Sequence, residues 1–522
     1  MVPLHEVPTP QTAHWRQALE WGYADEDDTW DAVQARYSRA STHASMTGYF
    51  DSLSSWKALV ALCQQLDVQW GRWHMRHATT EQLAACRIAL YPRVHTVRPV
   101  YPRDDLWHIE LDHVDRCVLA SVSDGSLRTL DADSGAVLWS TTLSSLPPPH
   151  RYMPFFQYSQ GWLSVYHYDT RQLQVWRSER TIPWLSQPQR GVFRLHSRLA
   201  LEPEVRGAPV YALHYPILSY MPNRATLVDM NLDTLQTDEY GVGMARRSAR
   251  VHSLDSASHW MALSRSMAPS LVVAQRSGRA LTAHWRLEEH LRTCGAPEYY
   301  VPMPAAPTLR DGFVWRPLVR TQARRGWLKA WIAPERQHRA GWRPWQAIQL
   351  DPATDTLVAL SRRGLLVLLH LQQSLQAGQP PRLCAIETSA PPAPTDRVPL
   401  EDWLCAPDEM GHMRMHQGRV LAMYRTLQLL DLRTPTWGQT ADGASIETPF
   451  SLYMWSRLPF EGCSERHEWQ WTPLYHCVQL DHTSIFVVTR EALAEAEHGA
   501  PSRTVLTHLR IDTAPPPLVE RR

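Results

Sequence analysis

From about residue 105 onward, apolar and polar positions follow one another in short runs rather than in long helical stripes. The clearest stretch runs from Cys117 to Ser140, CVLASVSDGSLRTLDADSGAVLWS. Val118, Leu119 and Ala120 form an apolar run. Asp124-Gly125 supplies a tight turn, because Gly takes up positive φ without a steric penalty. Ser126 to Leu130 alternates polar and apolar, the period of a half-buried strand. Asp131 to Gly135 reads as a second turn, and Ala136 to Trp139 closes with a third apolar run. The pattern predicts a three-stranded antiparallel meander. Such a unit cannot bury its own faces and needs copies stacked beside it.

Comparable units, scored as an apolar run, a turn and an alternating run, begin near Val118, Trp162, Ile217, Met261, Val314, Leu357, Val420 and Ile485. The spacings are 44, 55, 44, 53, 43, 63 and 65 residues. Three match the length of a four-stranded blade, and the others exceed it by the length of a loop. Four units end a strand in Trp: Trp139, Trp176, Trp285 and Trp331. A strand-end Trp suits a wedge between neighbouring sheets, where its large area is covered. The segments 227–236 (LVDMNLDTLQ) and 427–433 (LQLLDLR) keep the apolar run followed by an acidic turn. TVLTHLRID, 504–512, is a candidate closing strand, which would remove an open sheet edge. Long amphipathic helices and a Gly-rich βα turn are missing from this region. The expected fold is therefore mainly β, a seven- or eight-bladed β-propeller over 101–522. A β-sandwich array is the structural alternative.

The first hundred residues read differently. Short helices are plausible around Trp15 to Trp21 and Thr29 to Tyr37, with an acidic patch at Asp25, Glu26, Asp27, Asp28 and Asp31. In 53–77, LSSWKALVALCQQLDVQWGRWHMRH, apolar residues fall at Leu53, Trp56, Leu59, Val60, Cys63, Leu66, Trp70 and Trp73. That is one face of an amphipathic helix, or of a helix pair broken at Gly71. Residues 1–100 are thus expected to form a small α-helical module, which either docks a partner or caps the β body.

Composition narrows the functional classes. The formal charge is +1 over 522 residues, so nothing pulls the whole chain toward nucleic acid or an anionic membrane. No run of eighteen apolar residues occurs, and the opening residues lack the basic and apolar regions of a secretory signal. Eight scattered cysteines without a CxxC pair favour reduced thiols, hence cytoplasm or nucleus. The chain carries 23 Trp against 8 Phe, and its only lysines are Lys57 and Lys329. A GC-rich genome accounts for both biases.

No catalytic motif appears. There is no GxSxG elbow, no GxxxxGK[ST] cradle and no HExxH. His412 and His416 would share a face if helical, but no third ligand lies nearby in sequence, so no metal or cofactor is assigned.

Two resemblances bear on function. DGSLRTLDADSGAVLW resembles the repeat of quinoprotein-type propellers, which include quinone-dependent dehydrogenases and an outer-membrane assembly factor. That likeness implies the fold, with a quinoprotein-like enzyme as one functional alternative. SWKALVALCQQLDVQWGRW, through Trp56, Lys57 and Trp70, resembles the segment between F-box and first blade in F-box/WD-repeat proteins of the fungal type. The Leu-Pro-x-Glu opening of their F-box does not occur ahead of residue 53, so the F-box itself is diverged or missing. Members of that family are non-enzymatic substrate receptors of cullin-based ubiquitin ligases. The resemblance implies adaptor binding through Leu53, Trp56, Leu59, Val60 and Cys63, and target binding on the propeller. A generic WD-repeat scaffold is the alternative.

For the target, residues 310–343 stand out. Arg316, Arg320, Arg324, Arg325 and Lys329, with Trp327 interleaved, form an Arg-rich stretch suited to a phosphorylated protein segment. A basic solvated loop is the plainer account. Scarce lysine would also spare such a receptor from its own ligase, though codon usage explains it equally.

Overall fold

In the computed structural model the described residues are 89–90, 93–99 and segments covering most of 106–510; 1–88, 144–155, 202–209, 243–250, 302–312, 321–344, 388–411, 456–476, 492–502 and 511–522 lie outside the description. The Cys117 to Ser140 stretch forms three strands, Cys117–Val122, Ser126–Asp131 and Val137–Thr142, preceded by a fourth, Leu106–Asp112. The four pair antiparallel in chain order. Both turns take the predicted form: Gly125 has φ 80° and Gly135 φ 68°. In the second, Asp131 Oδ1 accepts from Ser134 Oγ at 2.7 Å.

The middle strands are buried on both faces, not on one as the alternation suggests. Along Cys117–Val122, Cys117 and Leu119 pack with Phe156, Leu163 and Phe193 of the following unit. Val118, Ala120 and Val122 pack with Phe486 and Val488 from the other end of the chain. The same division recurs at Leu357 and Ala359 against Val358 and Leu360. A period of two in a sheet sandwiched between neighbours yields continuous apolar runs, such as Gly364–Leu369, GLLVLL, buried throughout.

Each further meander repeats this order. Its first strand lies innermost. These inner strands touch in sequence: Leu106–Asp112, Phe156–Ser159, Tyr211–His214, Val251–Ala257, Trp345–Asp351, His412–His416 and Cys477–Leu480, the last returning to Leu106–Asp112. A cyclic order of meanders packed face to face is a β-propeller. The candidate closing strand is present as Arg503–Arg510. It pairs with Ser484–Glu491 on one side and with Arg93–Pro99 on the other. Arg93–Pro99 thus completes the final meander from within the segment assigned by sequence to the helical module.

Hydrogen bonding gathers the described strands into six sheets, not the seven or eight expected. One eight-stranded sheet contains two meanders, joined by the single parallel pair Gly241 and Ala280. A second departure concerns Val314. Seven of the eight anticipated starts fall in the second strand of a meander, but Val314 lies in Phe313–Arg316, an added strand on the outer edge of Ser451–Trp455. On its other side it pairs with Ala89–Leu90, so this run is a strand of the sheet without being the start of a meander. His412–His416 is a strand, so the two histidines are not on one helix face.

Candidate docking face

The connection from Gln172–Ser178 to Phe193–Ala200 is irregular and tied at both ends to the neighbouring unit. It opens with a 3-10 turn, Glu179–Thr181, and passes through PWLSQP before returning at Gly191. An arginine near each end ties it to the neighbouring unit. Arg180 places Nη2 3.2 Å from Asp112 and Nε 2.8 Å from Asp115. Arg190 puts Nη1 2.7 Å from Asp131 and donates from Nη2 to the Arg116 carbonyl at 2.6 Å. Asp112 in turn accepts from the backbone N–H of Val114 and Asp115, holding the hairpin turn that the arginines grip.

These carboxylates are buried, so the pairs are weakly screened. Burial and the adjacent Asp112 push Asp115 up, against the pull of Arg180 and the Gly191 N–H. For Asp131, burial is outweighed by hydrogen bonds from Ser134 and Arg190, which hold its carboxyl at about 2. Glu179 anchors the inside of the loop, accepting from Gln189 N at 2.9 Å and pairing with Arg194 at 2.8 Å. Gly191 is required twice over. It sits at φ +70°, and a Cβ there would meet Leu138 Cδ1 at 2.8 Å. Ile182 plugs the loop into the body, whereas Trp184, two residues on, is 78% exposed.

A second concentration of polar groups lines the axis. There the side chains of inner strands cap the free edges of their neighbours. Gln157 donates to Tyr211 O at 3.0 Å and accepts from Leu213 N at 2.6 Å. Asp255 accepts from Leu350 N at 2.6 Å and meets His214. Gln479 donates to Ile109 O at 2.6 Å, and Arg414 donates to Gln479 at 3.1 Å while pairing with Glu110. Burial holds His412 down to about 4; burial, Arg414 and His412 together keep His108 well below the usual histidine range. This belt satisfies the inner edges of the ring and leaves its groups facing one another.

A cleft of about 220 Å³ lies between helix Leu287–Cys294 and the segment 375–380, lined by Trp285, Glu289 and His290. Trp285 donates to His290 at its base, at 3.3 Å. Among the described residues no group of three His, Cys, Asp or Glu is placed to hold a metal ion. None of their helices is long and apolar enough to cross a membrane.

The residues singled out from sequence fall as follows. Leu53, Trp56, Leu59, Val60 and Cys63 lie outside the described residues, as do Arg324, Arg325, Trp327 and Lys329. Arg316 ends strand Phe313–Arg316, and Arg320 ends Val319–Arg320, in a different sheet. Arg320 is exposed, 3.8 Å from Glu298. Of the strand-end tryptophans, Trp139 and Trp176 meet between units, edge to face at 5.5 Å, and Trp285 is buried in a cluster that spans two units, while Trp331 lies outside the described residues. The clamped loop went unnoticed in the sequence. Its signal was the 55-residue spacing from Trp162 to Ile217, part of whose excess is this connection.

No protein-family model matches the chain, and no curated protein matches it. Similar solved structures include Chaetomium thermophilum Raptor (10% identity, 85% of this chain and 32% of that one, TM-score 0.40). Others are Kluyvelomyces marxianus Hsv2 (7%, 66% and 83%, 0.35) and BamB from Moraxella catarrhalis (10%, 77% and 86%, 0.33). The chain thus spans about a third of the length of Raptor. At these TM-scores the likeness adds nothing to the strand pairing, which by itself defines a mainly β propeller.

Proposed function

We propose that this chain is a non-catalytic protein-recognition module, a ring that we count as seven blades presenting a preformed docking face on its second. The observation that carries the reading is Trp184, 78% exposed on a loop clamped by Arg180 and Arg190. A large aromatic on a rigid mount loses little entropy on binding and is a typical interface anchor. Truncating such an anchor removes about 2–4 kcal/mol of binding. The test is p-benzoylphenylalanine, a photo-crosslinker that keeps an aromatic ring in the anchor position, at position 184 of the full chain exposed to a lysate. A protein adduct that excess wild type competes away, and Trp184→Ser does not, supports the reading. Absence of a competable adduct overturns it.

The finer reading is a substrate receptor of a cullin-based ubiquitin ligase, acting in cytoplasm or nucleus. It is favoured by the likeness around Trp56, Lys57 and Trp70 and by the position of that segment ahead of strand Arg93–Pro99. Leu53, Trp56, Leu59, Val60 and Cys63 would hold the adaptor, and the stretch from Arg316 to Lys329 a phosphorylated target. Full-length protein should retain the cullin adaptor, and Trp56→Ala with Leu59→Ala should lose it. A well-folded wild type that retains none leaves a scaffold without a ubiquitin role.

A further inference from the structure

Outer strands of this ring are mostly covered. Arg382–Glu387 is joined by Tyr299–Val301, Ser451–Trp455 by Phe313–Arg316, and Thr237–Gly241 meets Ala280–Arg286. Among the described residues Phe193–Ala200 ends its sheet instead, as Arg93–Pro99 does, with Gln172–Ser178 on one side only. At eight residues it is longer than Val137–Thr142, the outer strand of the preceding unit, which also ends its sheet. Its free edge has a definite polarity. Glu179 N donates to Val192 O at 2.9 Å, and Arg194 stands opposite Arg177. In an antiparallel ladder this register turns the Leu195 N–H away from Gln172–Ser178, toward the open side.

The exposed side chains at the start of that edge are mostly basic. Arg194, Leu195, His196 and Arg198 are exposed, with Arg171 on the hairpin beside them. Thr237–Gly241, the corresponding strand of the next unit, exposes Asp238 and Glu239 instead. Charge on an edge strand normally discourages pairing with like strands. A strand that carries Arg194 and Arg198 and no carboxylate of its own discourages its own copies while it attracts an acidic strand. Trp184 stands on the connection leading into this strand, with its ring exposed.

Resting on the protein-recognition reading above, we propose that Phe193–Ala200 accepts an extended acidic segment of a partner protein as an added strand, with Trp184 covering one of its apolar side chains. Backbone hydrogen bonds then provide affinity, while Arg198 selects acidic side chains on the guest face beside it; Arg194, paired with Glu179, lies on the other face beyond the bulge at Leu195–Ser197.

The experiment uses the full chain and a fluorescein-labelled eight-residue peptide of alternating Glu and Val. Its controls are the Lys-Val counterpart and phosphatidylcholine vesicles containing phosphatidylserine. Saturable anisotropy with the acidic peptide alone is expected. Leu195→Pro, which blocks the open N–H without touching the ladder, should weaken it at least tenfold. Arg198→Glu, an exposed change with little bearing on folding, should do the same. Binding that survives both variants, binding of the Lys-Val peptide, preference for the vesicles, or no saturation overturns the proposal. Failure here with a competable adduct at position 184 removes only the strand-addition mode; failure of both removes the docking face itself.

Discussion

At the axis Glu110 lies against Arg414 and His108, and Gln479 closes the group onto the Ile109 carbonyl. At the rim Arg180 and Arg190 reach across to Asp112, Asp115 and Asp131 of the neighbouring unit. Both regions join adjacent blades through charge. At the axis the charged groups consume one another and seal the inner edges. At the rim they are spent holding a loop whose outer side carries Trp184 and leads to a basic strand edge. The difference lies in what remains after the joint is made. One set of contacts ends in itself, and the other supports an exposed surface.

The comparison is broken most directly at Arg180. Asp112 and Asp115 are almost fully buried side by side, with Arg180 as their shared cation. Arg180→Ala leaves two buried carboxylates facing each other, and removing one partner of a buried pair costs about 3–5 kcal/mol. A fall of that size in urea unfolding stability is expected, together with loss of the competable adduct at position 184. A cost below about 1 kcal/mol, typical of solvated pairs, would mean that the rim is not clamped.

Acid separates the two regions. His412 titrates at about 4 when folded, from an ordinary value of 6.5, because it is buried. The unfolded chain therefore binds the proton first, and stability falls as pH drops from 6.5 toward 4, by up to roughly 3 kcal/mol at 1.36 kcal/mol per unit. His108 shifts in the same direction. At the rim, the Asp131 contribution is present above 3.8 and lost only as pH falls toward 2. His214 opposes the trend, since Asp255 raises it and that joint weakens as pH rises through its folded value. Denaturant midpoints should decline between pH 6.5 and 4, and His412→Asn should flatten the decline. An unchanged slope in the variant would place the loss elsewhere.

A smaller effect is expected at Gly191, where the loop turns back. Gly191→Ala must accept φ +70° and a contact of 2.8 Å to Leu138, a cost of about 1–3 kcal/mol. Thermal unfolding measures it. The variant should also lower binding at position 184, because the loop ends where Gly191 packs. No change in either would show that the loop is held by its arginines alone.

Much of the ring was legible from local pattern. Second strands such as Cys117–Val122 and Gly364–Leu369 are buried on both faces, and a run of apolar residues reports that without knowledge of the partner. Inner strands were harder to read, because Phe156–Ser159 and His412–His416 carry the polar residues of the axial belt and look like loops. The docking face was not legible, since Asp112 and Arg180 are 68 residues apart and neither is unusual alone. The Arg-rich stretch from Arg316 to Lys329 drew attention by composition. The arginines that hold the loop are two isolated residues whose meaning depends on a neighbour brought in by closure.

The smallest expected effect on stability is the most informative about the rim. Trp184 is 78% exposed, so Trp184→Ala removes little buried area and should leave the unfolding midpoint within about 0.5 kcal/mol of wild type. The same change should weaken the acidic peptide about tenfold or more, since an anchor side chain works only in the complex. Arg180→Ala has the opposite profile, lowering stability and binding together. If Trp184→Ala lowered stability as much as Arg180→Ala does, the indole would belong to the joint and not to the surface that the joint supports. The rim would then resemble the axis, with all of its contacts directed inward.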